Sequence, residues 1–318
     1  MGGKRIRLVL VAGIAFVLSG TVDPAFAGGS GRALRPGMQG RAVKRVQVRV
    51  AGWYPRSRDK VHFALDGVYG SQTASAVKAF QRHYGLTPTG IVGRSTRRIF
   101  WRLRDSNGST AHFNWSEFEQ NRNPACSARA NAYAGTFGGG MVSSHKAKRN
   151  VRRLMWRLEA ARAKAGREPI GINSGFRSVA YNDCIGGARA SQHLYGTAAD
   201  NRIADTRNRR SRRIAKRSEF HGIGCYANLT HNHFDIRIDN GALESSRFWW
   251  WPDKDGKGRD LDASGRPCWG QGRRGEASHA ALADVRAGKP GVGSLVPSPA
   301  EIRAFAAAGE PADLHGAD

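Results

Sequence analysis

The sequence predicts an α+β fold in two parts, a small domain of three helices followed by a larger domain with a central antiparallel sheet. Three observations carry this expectation. Between residues 34 and 101, apolar side chains recur at helical spacing in short runs, each introduced by a pair of glycines. From about His145 to Ala165, Val151, Leu154, Met155, Leu158 and Ala161 line one side of a longer helix while Lys and Arg crowd the other, so that helix faces a core with a solvated basic back. Further on, in HNHFDIRID, the residues His231, His233, Asp235 and Arg237 alternate with Asn232, Phe234, Ile236 and Ile238, which is the period of a strand.

Length and charge bound the rest. With 318 residues and 40% hydrophobic composition, the chain can build two domains with real cores. A formal net charge of +26 calls for an anionic partner: nucleic acid, anionic lipid or an acidic wall polymer. Lys4, Arg5 and Arg7 precede the apolar run LVLVAGIAFVL, and Ala25-Phe26-Ala27 offers a small-x-small cleavage site, so residues 1–27 read as a secretory signal peptide. That run is short for a bilayer span, no later segment reaches the required length, and no cysteine near the cleavage site offers a lipid anchor. A secreted protein, extracellular or associated with the cell wall, is therefore expected, with no membrane anchor and no nucleic-acid partner. A monomer is expected. Four cysteines in an exported chain suggest two disulfides; of the three pairings, Cys126–Cys184 with Cys225–Cys268 would brace the approach to each half of the site described below. No C-x-x-C spacing supports a cysteine-ligated zinc.

After a Gly/Arg spacer at 28–33, the phrase Asp66-Gly67-x-x-Gly70-x-x-Thr73 returns 23 residues later as Thr89-Gly90-x-x-Gly93-x-x-Thr96. The glycines suit tight loops, and the Ser/Thr region after them can cap a helix, so helices should begin near Ser71 and Arg94. Thr73, Ala76, Val77, Phe80 and Tyr84 then share one face. Upstream, Pro36-Gly37-x-x-Gly40 introduces Val43, Val46, Gln47 and Val50 in the same way. The stretches GMQGRAVKRVQ, DGVYGSQTASAVKAFQRHYGL and TGIVGRSTRRI resemble the peptidoglycan-binding domain type 1, with the insert YPRSRDKVHFAL longer than is usual there. The resemblance implies a wall-binding module over 34–103; the plainer reading is a helical spacer without a ligand.

Residues 104–111, RDSNGSTA, are polar and aperiodic and mark a domain boundary, with a second domain over 111–269 and a flexible tail over 270–318. His112 in HFNWSEFE is expected to pack or face solvent, and GTFGGGMVSS to form a loop. The phrase GINSGFRSVAYND places Arg177 just after a glycine turn, where its fork of donors can face a carboxylate or a developing oxyanion.

In SQHLYGTAAD, His193 and Asp200 stand seven residues apart with Gly196 between them, so His193 is expected on a loop and Asp200 on the strand TAADNRI. Two histidines and one carboxylate would leave the fourth position of a tetrahedral metal open, as catalytic zinc requires. The pattern S-x-H-x-x-G-x-A-x-D, followed downstream by H-x-H, resembles the zinc D-Ala-D-Ala metallopeptidases of peptidoglycan over roughly 111–240. That resemblance implies one zinc per chain held by His193, Asp200 and His233. It implies His231 as the catalytic histidine beside the attacking water, with Arg177 and Ser191 holding substrate oxygens. Asp235, on the same strand face, could orient one imidazole. Related enzymes can place a carboxylate three positions before the last histidine, but Thr230 stands there, which favours His231 as base over Glu219. The activity implied is that of a D,D-carboxypeptidase; a cross-link endopeptidase with the same zinc site, and a non-catalytic wall-binding protein with a structural zinc, are the alternatives.

The remaining stretches say less. TRNRRSRRIAKR at 206–217 reads as a solvated loop near anionic wall polymer, and FWWWP at 248–252 as a packed aromatic edge or a substrate-stacking platform. DKDGKGRDLD fails the acidic spacing of a calcium loop and is taken as a turn, and the tail carries at most a short helix around 298–308.

Overall fold

The computed structural model describes residues 32–55, 63–119, 123, 125–126, 135–189, 191–225, 231–237 and 249–252. The expected signal peptide, the Cys225–Cys268 pairing, the turn at 253–262 and the tail rest on residues outside this set.

The first part holds α1 (Arg41–Val50), a 3₁₀ turn at Ala51–Trp53, α2 (Ser71–His83) and α3 (Arg94–Arg102). Val43, Val46, Val50, Ala76, Val77, Phe80, Ile99 and Phe100 close its core, so the helical spacing read from the sequence is the packing face. The capping expectation fails in an instructive way. Both α2 and α3 have glycine N-caps and no side-chain cap. Thr73 and Thr96 instead serve two buried glutamines that hold the loops. Gln47 Nε2 donates to Asp66 Oδ1 (2.8 Å), Val68 O (3.0 Å) and Thr73 Oγ1 (3.2 Å), while its Oε1 accepts from Gly67 N–H (2.8 Å). Gln81 repeats the arrangement with Thr89 Oγ1 (3.3 Å), Ile91 O (2.9 Å), Thr96 Oγ1 (3.1 Å) and Gly90 N–H (2.9 Å). The 23-residue echo is thus the visible half of a repeated staple whose other half is a glutamine on the preceding helix. Gln81→Leu keeps the volume but leaves Gly90 N–H and Ile91 C=O without their partner; it is expected to lower unfolding free energy by about 2–4 kcal/mol, read from the denaturant midpoint.

The second part contains α4 (Trp115–Phe118), α5 (Ser144–Lys164), β1 (Ile170–Ser174), α6 (Val179–Cys184), a 3₁₀ helix at Gln192–Tyr195, β2 (Ala198–Ile203), α7 (Asn208–Arg217), β3 (Gly222–Cys225), β4 (Asn232–Asp235) and β5 (Trp249–Pro252). The sheet order is β1-β2-β4-β3-β5. Its pairs are antiparallel except β3 with β5, which run parallel, so the FWWWP stretch contributes an edge strand to an otherwise antiparallel sheet.

Helix α5, capped by Ser143 accepting from Lys146 N–H, is buried on two sides. Val151, Leu154, Met155, Leu158 and Ala161 enter the core against the sheet. Trp156 and Ala160 enter the core of the first three helices instead. One helix therefore completes both cores. Lys164 at its end donates from Nζ to Gly52 O at 2.6 Å and rests over the Trp53 ring at 5.3 Å. Residues 104–113 form a closed turn: Asn107 Oδ1 accepts from Ser109 N–H, Thr110 bridges both Arg104 and Phe113, and Ser109 and Thr110 are buried. His112 is exposed, one of its two expected placements, with Nδ1 2.9 Å from Glu159 Oε2.

One local reading needs correction. The basic stretch at 206–217 is helix α7, not a loop; Ile214 and Ala215 enter the core while Arg209, Arg210, Arg213, Lys216 and Arg217 are exposed. Its apolar stripe is so narrow that the charge run concealed the helical period. Helix α6, capped by Ser178 and ending at Cys184, is too short to show periodicity, and the Cys126–Cys184 disulfide ties its end to the preceding segment.

Candidate metal centre

The sheet positions the site through register. Ala199 of β2 pairs with Phe234 of β4, and both enter the core beneath α5. The next pair, Asp200 and His233, therefore faces the opposite side of the sheet, directly across from each other. His193 arrives from the 3₁₀ helix, which turns into β2 through Gly196 in the left-handed region (φ 70°). A Cβ there would stand 2.6 Å from Ala147 O of α5, so both the turn and the close approach require glycine. Asn150 of α5 holds the same turn, donating from Nδ2 to Tyr195 O at 2.9 Å.

The three side chains converge. His193 Nε2 lies 3.2 Å from His233 Nδ1 and 3.3 Å from Asp200 Oδ1, and His233 Nδ1 lies 3.0 Å from Asp200 Oδ1. The far side of each ring fixes its tautomer. His193 Nδ1 is 2.5 Å from Gly175 O, which only accepts, so Nδ1 carries the proton and Nε2 presents a lone pair. His233 Nε2 faces Asp235 Oδ2 at 3.3 Å, so Nε2 carries its proton and Nδ1 presents a lone pair. With both rings neutral, three acceptors meet with no proton among them, an arrangement that suits a cation. These residues fit zinc: bonds of about 2.0–2.1 Å at the tetrahedral angle separate ligand atoms by roughly 3.3 Å, and two imidazoles with one carboxylate are a zinc donor set. Among the described residues, His193, Asp200 and His233 are the group that could hold a metal.

Electrostatics follow the geometry. Burial, with the Arg177 guanidinium nearby, pushes His193 down to about 4. Burial opposes the charge of Asp200, but His193 and His233 outweigh it and hold the carboxyl well below the usual range. For His233, burial favours the neutral ring, but the Asp200 and Asp235 carboxylates on its two sides outweigh burial and raise its pKa.

The other expected site residues are placed as follows. Arg177 donates from Nη2 to Asp200 Oδ2 at 2.7 Å and from Nε to Ser174 Oγ at 2.9 Å, so its guanidinium grips the carboxylate of the converging group. Its backbone N–H also donates to His193 O at 3.1 Å. Ser191, half-buried, stands at the start of the 3₁₀ helix without capping it by its side chain. His231 precedes β4 and is half-buried; burial lowers its pKa, Asp200 opposes that, and His233 and Arg177 add to it. Asp235 lies behind His233, on its face of the strand. Glu219 lies in a buried turn at φ 59°, its Oε2 3.9 Å from His221 Nε2, and is not among the converging ligands. The expected polar row of β4 is present, but the opposite row is buried too: Asn232, Phe234 and Ile236 are all enclosed. Two contributions had no sequence signal, the Gly175 carbonyl that orients His193 and Asn150 beneath Tyr195. A third, Arg237 on Asp235, stood in the alternating row without a role.

Comparison with known proteins agrees with this geometry. The Peptidase M15 family profile matches residues 128–235, which contain all three converging ligands. The profile described as "Putative peptidoglycan binding domain" matches residues 39–100. The zinc D-Ala-D-Ala carboxypeptidase of Streptomyces albus G is 36% identical over 218 residues, 63% of this chain and 80% of that protein. Shorter matches, each over 64 residues and covering 20% of this chain and 18% of the relative, are to two Bacillus licheniformis proteins. One is named "Probable N-acetylmuramoyl-L-alanine amidase" (44% identical) and the other N-acetylmuramoyl-L-alanine amidase CwlL (41%). With four-fifths of a zinc carboxypeptidase aligned and the converging ligands inside the matched peptidase segment, the chain belongs to the Peptidase M15 family.

Proposed function

We propose that this protein is a zinc-dependent D,D-carboxypeptidase that removes a terminal D-amino acid from peptidoglycan stem peptides outside the cell. The catalytic part is residues 111–269, and the module over 34–103 holds it to the polymer. The observation that carries the chemistry is the convergence of His193 Nε2, Asp200 Oδ1 and His233 Nδ1, with the other nitrogen of each ring facing an oxygen acceptor. Zinc held by these residues would act as a Lewis acid on the scissile carbonyl and bring the pKa of an attacking water towards about 7. His231, whose pKa burial lowers, would accept the water's proton and pass it to the leaving amine. Arg177 fixes Asp200 through Oδ2, leaving Oδ1 for the metal, and with Ser191 borders the place where substrate oxygens bind.

The high positive charge suits an anionic wall polymer as partner. Among the described residues no helix is long and apolar enough to cross a membrane.

The decisive experiment is mass analysis of products from a defined pentapeptide muropeptide. Loss of one terminal D-Ala, abolished by a chelator and restored by one equivalent of zinc, is the expected result. Cleavage of cross-linked dimers with the free pentapeptide left intact would assign an endopeptidase instead, and undiminished hydrolysis by metal-free protein would remove the zinc mechanism.

A further inference from the structure

Asp235 is fully buried, and its carboxylate gathers donors from two directions. Oδ1 accepts from the Arg237 backbone N–H at 3.1 Å and from Arg237 Nε at 3.0 Å; Oδ2 accepts from Arg237 Nη2 at 2.6 Å and faces His233 Nε2 at 3.3 Å. The contacts are unequal. The guanidinium grips both oxygens in a fork, and the imidazole takes the longer contact to an oxygen already placed. A carboxylate held at both oxygens cannot rotate, so Oδ2 stays opposite His233 Nε2, and Nδ1 stays opposite Asp200 and His193.

The sheet makes room for this chain of contacts. Asp235 is flanked across the strands by Ala198 of β2 and Gly222 of β3. A Cβ on Gly222 would lie 1.9 Å from Asp235 Oδ2 and 2.6 Å from Arg237 Nη2. Any side chain at 222 must therefore push apart the pair that orients His233. His221 N–H donates to Asp235 O at 2.8 Å and fixes the backbone on the same side.

We infer that Arg237 is a positioning residue of the metal centre, acting through Asp235 on His233, and that Gly222 is the space this coupling requires. The inference rests on the zinc reading given above.

The test is the zinc dissociation constant of the full chain, measured against a chromogenic chelator, with the visible absorption of the cobalt-substituted protein as a second readout. Outer contacts of this kind are worth about 10–100-fold in metal affinity. Arg237→Gln is expected to weaken zinc about 10-fold and to shift the cobalt bands, and Asp235→Asn to weaken it about 10–100-fold. The double variant should bind no more weakly than Asp235→Asn alone, because both changes break one chain of contacts. Arg237→Lys, which keeps the charge but loses the fork, should fall between wild type and Arg237→Gln, and Gly222→Ala should weaken zinc in the same direction.

Wild-type affinity and an unchanged cobalt spectrum in a folded Arg237→Gln protein would overturn the inference, as would losses that multiply in the double variant. Should Arg237→Gln not fold by circular dichroism, Arg237→Lys and Gly222→Ala decide the matter, and wild-type affinity in both overturns it. Failure of the wild-type chain to bind zinc would count against the metal reading itself, and that result precedes any comparison among variants.

Discussion

His193→Ala is expected to abolish stoichiometric zinc binding and to reduce hydrolysis of a pentapeptide substrate to background. His193 supplies one of three converging ligand atoms. Loss of an outer contact alone costs 10–100-fold in metal affinity, so loss of a ligand should exceed about 10³-fold. The fold should survive, because the turn that carries His193 is held independently by Asn150 on Tyr195 O, by Gly196 against α5 and by Thr197 Oγ1 donating to Gln192 O. Thermal unfolding separates the two effects. At about 1,000 times its dissociation constant, zinc should stabilise the wild-type chain by roughly 4 kcal/mol, and His193→Ala should show no such gain. A variant that still takes up one tightly bound zinc would displace the site from these residues.

How much of this was legible in the sequence depends on the kind of signal. The helices of the first part and α5 were readable because a stripe of apolar residues at helical spacing is the packing face itself, and Val43, Phe80 and Leu154 are all fully buried. The pairing of Asp200 with His233 was half readable. Alternation placed His233 and Asp235 on one face of a strand, but only the register sets Asp200 opposite His233. Helix α7 was hidden because its core contact rests on Ile214 and Ala215 amid a run of cations. The glutamine staples were missed for a different reason: Gln47 and Gln81 are polar residues at buried positions, and their role appears only once each loop is folded back over them. The Gly175 carbonyl left no trace at all, since a backbone acceptor is the same in every residue.

The same logic separates His231 from the ligands and gives the second large effect. His231→Ala should leave one zinc per chain, because His231 is not among the three converging ligands. It should nevertheless lower kcat by about 10²–10⁴-fold, the usual contribution of a positioned general base. The contrast is informative because His231 immediately precedes β4 and His233 lies within it, so a general disturbance of β4 would damage both functions together. His193→Ala loses metal and activity; His231→Ala should lose activity alone. Partial recovery of the rate by added imidazole would identify the missing group as a proton acceptor, since a small soluble base can occupy the vacated space but cannot repair a displaced strand. If His231→Ala instead loses zinc in parallel with activity, His231 acts on the metal site, and the proton acceptor must be sought elsewhere.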